Sequence, residues 1–264
     1  MAFRSANLTA HMIKFNSTAS CELLDMYSKL VDDELVQKSE ELKQQTFAPS
    51  QMRCDRVSWF RLRGVQPDKV TVPDKSLNFT AEIGTACHEI IQSRLQKKLG
   101  DDWIEVEDWI KSNPDLFSDY DMTITKAGYE SRVEMRKPYP VRFGCDGILR
   151  FQNKVYLLEI KTTESFSLAD LVEPKPKHMD QIKCYSTLLK IPNVLFLYEE
   201  RQFGSQKCFE VTVTEDDWIA TKQKMDNVLD CVQSNIAPDG LLVGDPDCTQ
   251  NICPYFRKCK EWGR

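Results

Sequence analysis

Two strand-like runs separated by Gln152 and Asn153 constrain this chain more than any other feature. Residues 141–151 (Val-Arg-Phe-Gly-Cys-Asp-Gly-Ile-Leu-Arg-Phe) and 154–162 (Lys-Val-Tyr-Leu-Leu-Glu-Ile-Lys-Thr) are rich in β-branched and aromatic side chains and read as a hairpin closed by that dipeptide. A two-residue turn puts Asp146 directly across from Glu159 and Gly144 across from Lys161, while Glu159 and Lys161, two apart, share a face in any strand. A turn displaced by one residue keeps this grouping, and a three-residue loop breaks it. Leu157 and Val155 continue the face toward the interior, so the acids stand at its polar end, with Gly144 and Gly147 leaving room beside them. Two facing carboxylates repel unless a positive charge lies between them. Magnesium or manganese, which take oxygen ligands, would satisfy both. With Lys161 alongside, such a site can polarise a phosphoryl oxygen and position an attacking water, which is phosphodiester hydrolysis chemistry. A cross-strand surface ion pair is the blander meaning of the same residues.

Helical and strand patterns alternate around the hairpin. Leu23, Leu24, Tyr27, Leu30, Val31 and Leu35 predict an amphipathic helix or two within 20–45. Pro49 opens a helix carrying Cys54, Val57, Trp59, Phe60 and Leu62 and closed by Gly64. Ile83, Cys87, Ile90, Ile91 and Leu95 predict a helix from about Thr80 to Leu99, stopped by Gly100; it carries His88 and, one turn earlier, Gly84, whose bare backbone would let a metal or phosphate approach. Past Pro174 and Pro176 come a helix over 179–189, strands over 194–198 and 209–213, and a helix over 215–234 started by Thr214 and Asp217. The fold class is therefore α/β, a mixed central sheet flanked by helices. An N-terminal helical cover spans 1–47, and the main domain spans 48–264 and ends in a cysteine-bearing tail.

A chain of 264 residues with 35 Lys+Arg against 40 Asp+Glu, a net charge of -5 and 41% hydrophobic residues is not mainly disordered. Its slight acidity argues against a nucleic-acid coat over the whole surface but permits a local basic groove. The longest apolar run, Val194 to Tyr198, is far short of the ~20 residues that span a bilayer, and the N-terminus lacks the apolar core of a secretory signal. No membrane association is expected, and an intracellular, reducing (cytoplasmic) setting is. There, ten cysteines point to metal ligands and small buried hydrophobes rather than disulfides.

Four motifs in order, Gly84-Thr85-Ala86-Cys87-His88-Glu89, Gly144-Cys145-Asp146-Gly147, Glu159-Ile160-Lys161 and Gln181-Ile182-Lys183-Cys184-Tyr185, resemble the RecB-like branch of the PD-(D/E)XK nucleases. The resemblance spans about Pro49 to Lys260 and implies a restriction-endonuclease-like fold. It implies that Asp146, Glu159, the Ile160 carbonyl and His88 bind the metal, that Lys161 acts with Asp146 and Glu159 in catalysis, and that Gln181 and Tyr185 line the DNA side. The proline that names the superfamily is replaced by Cys145. Glu134 and Glu89 are further acids, read as structural.

Cys248, Cys253 and Cys259 form a tail triplet with four and five residues between them, and no C-x-x-C pair accompanies them. Cys54 is the candidate fourth thiol. Its setting, Ala48 to Arg56, followed by the triplet, is similar to the iron-sulfur subset of the same family, which includes CRISPR-associated RecB-like nucleases, AddB and the eukaryotic Okazaki-fragment nuclease-helicase. That resemblance implies a [4Fe-4S] cluster on the four cysteines. Arg53, Arg56, Arg61 and Arg63 beside the first cysteine, with Arg257, Lys258, Lys260 and Arg264 beside the last, form either a phosphate-binding rim interleaved with Trp59, Phe60, Tyr255 and Trp262, or a charged face over a small aromatic core. The resemblance as a whole implies a metal-dependent exonuclease acting on DNA ends, single strands preferred. A DNA-binding or assembly subunit of a repair, recombination or CRISPR spacer-acquisition complex is the rival. A homo-oligomer or a nuclease-complex partner is left open.

Overall fold

The computed structural model describes residues 26–34, 45–68, 75–242, 244–250 and 252–262. Residues 26–34 are helical; of the rest of the expected N-terminal cover only 45–47 are described, and Arg264 lies outside the described residues. Phe47, the expected last residue of that cover, is instead fully buried in the core. Its amide donates to the Pro140 carbonyl (2.7 Å), and its carbonyl accepts from the Arg142 amide (3.2 Å).

Pro49–Gln51 form a 3-10 turn, and α1 (Asp55–Leu62) follows after Cys54, whose extended backbone separates what the sequence suggested was one helix. Next come α2 (Lys75–Leu99), β1 (Trp103–Ile104), α3 (Val106–Ser112), β2 (Asp121–Ala127), β3 (Glu130–Lys137), β4 (Val141–Cys145), β5 (Gly147–Phe151) and β6 (Lys154–Thr163). The chain continues through α4 (Ser165–Ala169), α5 (Pro176–Leu189), β7 (Asn193–Glu200), β8 (Gln206–Thr212), α6 (Glu215–Ser234) and α7 (Phe256–Glu261). Thr214 and Asp217 cap α6 reciprocally, as their spacing predicts.

The central sheet has the order β1-β5-β6-β7-β8 and is mixed: β6 and β7 run parallel, joined across α4 and α5, and every other pair is antiparallel. Helices flank it on both faces. Ile148, Leu157, Val194 and Phe196 pack with Ile182 and Leu188 of α5 and Val228 of α6 in one core, while Leu149, Tyr156, Leu158 and Ile160 pack with Ile91 and Leu95 of α2 in the other. The tail folds back on α1. Phe60 stacks on Tyr255 with ring centroids 5.0 Å apart, Trp59 meets Trp262 edge-on at 5.2 Å, and the Asp68 amide donates to the Pro254 carbonyl. Among the described residues no helix is long and apolar enough to cross a membrane.

The hairpin has the expected register, Gly147 opposite Leu158 and Phe151 opposite Lys154, because Gln152 and Asn153 both adopt the positive φ that a two-residue turn demands. The long strand over 141–151, however, breaks at Asp146. β4 leaves the central sheet and pairs with β3 in a separate antiparallel meander, β2-β3-β4, so Gly144 lies opposite Arg132 rather than Lys161. The Asp146 carbonyl accepts from Gln92 Nε2 (2.7 Å), and the Asp146 carboxylate accepts from the Ile160 amide (2.7 Å). Asp146 is thus anchored at the seam between two sheets.

Candidate active site

Alternation along the strands explains which side chains meet at this seam. Glu159 and Lys161 point to the α5 face of β6, and Asp146 stands one step beyond the last β5-β6 pair, next to Glu159 in register. One step beyond the last β3-β4 pair, Ser131 with Cys145, the same register brings Glu130 opposite Asp146. An acid from each sheet therefore flanks Asp146. Asp146 and Glu159 are both buried, with 8% and 2% of their surface exposed. Burial pushes the Glu159 carboxyl up, against the pull of Lys161, and the Asp146 charge raises it further. Lys161 Nζ pairs with Glu159 and donates to Gln181 Oε1 (3.1 Å).

His88 reaches in from α2, its Nδ1 3.2 Å from Asp146 Oδ1. Burial would lower this imidazole, but the bond to Asp146 and the charge behind it prevail and raise it. Gln181 passes the network on, its Nε2 donating to the Tyr185 hydroxyl (2.7 Å). Tyr185, expected on the DNA side, is buried against Phe143 with ring centroids 4.7 Å apart, so its hydroxyl props Gln181 from behind. His88, Asp146, Glu159, Ile160, Lys161, Gln181 and Tyr185 are thus brought together from α2, the β4-β5 seam, β6 and α5.

The expected room beside the acids is filled. A Cβ on Gly144 would fall 1.3 Å from Glu130 Oε1, a Cβ on Gly147 would fall 2.5 Å from the Trp103 ring, and a Cβ on Gly84 would lie 3.2 Å from Thr162 Oγ1. These glycines admit protein neighbours rather than a ligand, and Gly84 lets α2 settle on β6. Glu130 is the site acid that sequence reasoning missed; Glu134 and Glu89 are exposed. Glu130 is held above the usual carboxylate range by burial first and then by Asp146. The obstructing atom is the end of a flexible side chain. Gly144→Ala is therefore expected to swing Glu130 out, leave Tm within a few degrees and bring the Glu130 carboxyl, followed by carbon NMR titration, down toward its ordinary value. An unmoved titration would mean that Glu130 is held by more than Gly144.

Arg53 and Arg56, expected on DNA, are engaged within the protein. Arg53 Nη2 lies 2.8 Å from Asp245 and its Nε 3.1 Å from Asp247, while the buried Arg56 donates to the Pro238 carbonyl (2.7 Å) and lies 3.6 Å from Cys259 Sγ. Arg63 lies over the Trp59 ring. Trp59, Phe60 and Tyr255 are core residues, so these three rings of the expected rim are packing, whereas Trp262 is half exposed and meets Trp59 edge-on. All four cysteines, Cys54, Cys248, Cys253 and Cys259, border one cavity of about 200 Å³ between α1 and the tail. Burial, opposed by the Tyr255 backbone and aided by the other three thiols, pushes Cys253 up to about 11. Among the described residues no group of three or more His, Cys, Asp and Glu stands arranged to hold a single metal ion.

No protein-family model and no curated protein matches the chain. Among solved structures it is similar to SSO0001 (16% identity, TM-score 0.47, covering 83% of this chain and 100% of that one). It is also similar to an alkaline exonuclease, LHK-Exo, from Laribacter hongkongensis (12% identity, TM-score 0.40, covering 75% and 93%), and to LHK-Exo in complex with dAMP (13%, 0.38, covering 73% and 90%).

Proposed function

We propose that this chain is a divalent-metal-dependent deoxyribonuclease that hydrolyses phosphodiester bonds at DNA ends, with a preference for single strands. The observation that carries this reading is the hydrogen-bonded convergence of Lys161, Glu159, Asp146 and His88 at the seam of two sheets. The donor chemistry suits magnesium or manganese: two buried carboxylates, the Ile160 carbonyl and an imidazole, gathered at one seam, would hold the ion. When bound, the ion supplies Lewis-acid charge to the phosphoryl oxygen and the attacking water. Lys161, steered by Gln181, orients that water and takes up charge as it develops, and buried Glu159 keeps the lysine in place.

A [4Fe-4S] cluster on Cys54, Cys248, Cys253 and Cys259 belongs to the same proposal. Four sulfurs spread around a cavity suit a cluster of several irons better than one zinc ion, around which they would meet at about 2.3 Å.

The test is anaerobically prepared protein with magnesium or manganese on end-labelled single- and double-stranded DNA and on closed circles. Linear DNA is expected to be consumed, single strands faster, and circles spared. Cleavage of circles at the linear rate would replace exonuclease by endonuclease, and intact linear DNA with either ion would end the nuclease reading.

A further inference from the structure

A second polar group faces the same end of the sheet, and the proposed chemistry does not use it. Tyr198 lies beside Lys161 in the parallel β6-β7 register and shares its face. His178 stands on the first turn of α5, three residues before Gln181, so His178, Gln181 and Tyr185 form one line along the helix facing β6 and β7. His178 Nδ1 is 2.7 Å from the Tyr198 hydroxyl, and the two rings lie 5.7 Å apart.

Hydrogen-bond accounting fixes the tautomer. Tyr198 is 1% exposed, so its hydroxyl proton needs an acceptor. Its other polar partner among the described residues, the Lys175 backbone N–H (3.3 Å), is a donor. The Tyr198 proton therefore goes to His178 Nδ1, which must be unprotonated, and the neutral ring carries its hydrogen on Nε2. Burial first, then the charges of Lys161, Lys177 and Lys175, hold this imidazole far below its ordinary value, to about 3. The result is a neutral donor, locked in one tautomer one helical turn from the glutamine that steers Lys161.

Resting on the nuclease reading, we propose that His178 is a substrate-contacting residue whose Nε2–H donates a hydrogen bond to a non-bridging oxygen of the phosphodiester held beside Lys161. A charged lysine and a neutral imidazole would then address the same phosphate from neighbouring positions. The imidazole adds direction without a second positive charge to repel the metal. Tyr198 is the positioning residue behind it.

Two measurements on the full chain decide this. The first, nitrogen NMR of the metal-free protein, uses no substrate. The chain has three histidines, and His178→Gln assigns the signal. At neutral pH the expected pattern is protonated Nε2 with bare Nδ1, becoming a tautomer mixture in Tyr198→Phe. A protonated Nδ1 or an imidazolium in the unmodified protein would overturn the inference. The second is turnover of a labelled single-stranded oligonucleotide with manganese. His178→Phe is expected to lower kcat by roughly 10²-fold, in line with loss of one preorganised donor, with KM within about threefold, while His178→Gln, which keeps an N–H, recovers part of the rate. If the unmodified protein cleaves and His178→Phe cleaves equally well with unchanged Tm, this inference alone fails. If His178→Phe unfolds, the His178→Gln and Tyr198→Phe rates decide instead: values equal to the unmodified rate overturn the contact. If the unmodified protein cleaves nothing under any condition, the nuclease reading fails and takes this inference with it.

Discussion

Alanine in place of Lys161 is expected to abolish DNA cleavage, by at least ~10³-fold in kcat, while single-stranded DNA still binds within a few-fold. In the proposed reaction the lysine would act on one phosphate and one water, whereas affinity for the strand would be summed over many backbone contacts. Removing it leaves Glu159 buried without its cation, so the carboxyl is expected to take up a proton and the fold to survive. Asp146→Ala should be equally inactive but less stable, because the Ile160 amide would lose its acceptor in a buried setting, at about 1–3 kcal/mol. Comparing the two separates chemistry from folding. Oligonucleotide turnover with magnesium and with manganese, alongside thermal unfolding, makes the comparison; retained turnover in both variants would remove the proposed site.

The second large effect is expected at the cysteines. The anaerobically purified protein is expected to be brown, and serine at any one of Cys54, Cys248, Cys253 or Cys259 to remove the colour, lower the iron content and reduce thermal stability together. A metal link between Cys54 and Cys248 would close most of the chain into a loop, for which the chain-entropy expression gives roughly 5 kcal/mol of stabilisation. That is comparable with the whole net stability of a domain. Cys145 and Cys184 are buried away from that cavity, and alanine there should leave the colour untouched. Stoichiometric zinc in a colourless protein, or full iron in Cys54→Ser, would show the wrong metal or the wrong fourth ligand.

What could be read from the sequence was local pairing. Gln152 and Asn153 fix the hairpin register because a two-residue turn leaves no freedom, and Thr214 with Asp217 fixes the start of α6 by a bond three residues long. The break at Asp146 could not be read the same way. Residues 141–151 look continuous as β-formers, and what interrupts them is tertiary: Gln92 and Ile160 take the hydrogen bonds that would have carried the ladder on. Because the meander went unread, so did Glu130. The turn at Gly128 and the alternation of buried Ser131, Val133 and Met135 were its available signals. The small residues at Gly84, Gly144 and Gly147 were legible as places of close approach, but not what approaches; that depended on Thr162, Glu130 and Trp103, far away in the chain. His178 was within reach, three residues before Gln181 on the same helix face. For Arg53 and Arg56 the sequence could not choose between its two readings, because a guanidinium beside a cysteine looks alike whether it faces a phosphate or the protein's own tail.

The return of the tail to α1 also sets an order of events during synthesis. Trp59 and Phe60 leave the ribosome long before the rings that cover them, Tyr255 and Trp262, which lie about 200 residues further along the chain. At 5–20 residues per second the interval is roughly 10–40 s. Throughout it the nascent chain carries the part of this aromatic face that Tyr255 and Trp262 later cover. A chaperone-like holding step, or delivery of metal only after the cysteine triplet has emerged, would fit that interval, and any chain interrupted before Tyr255 would carry that aromatic surface outward.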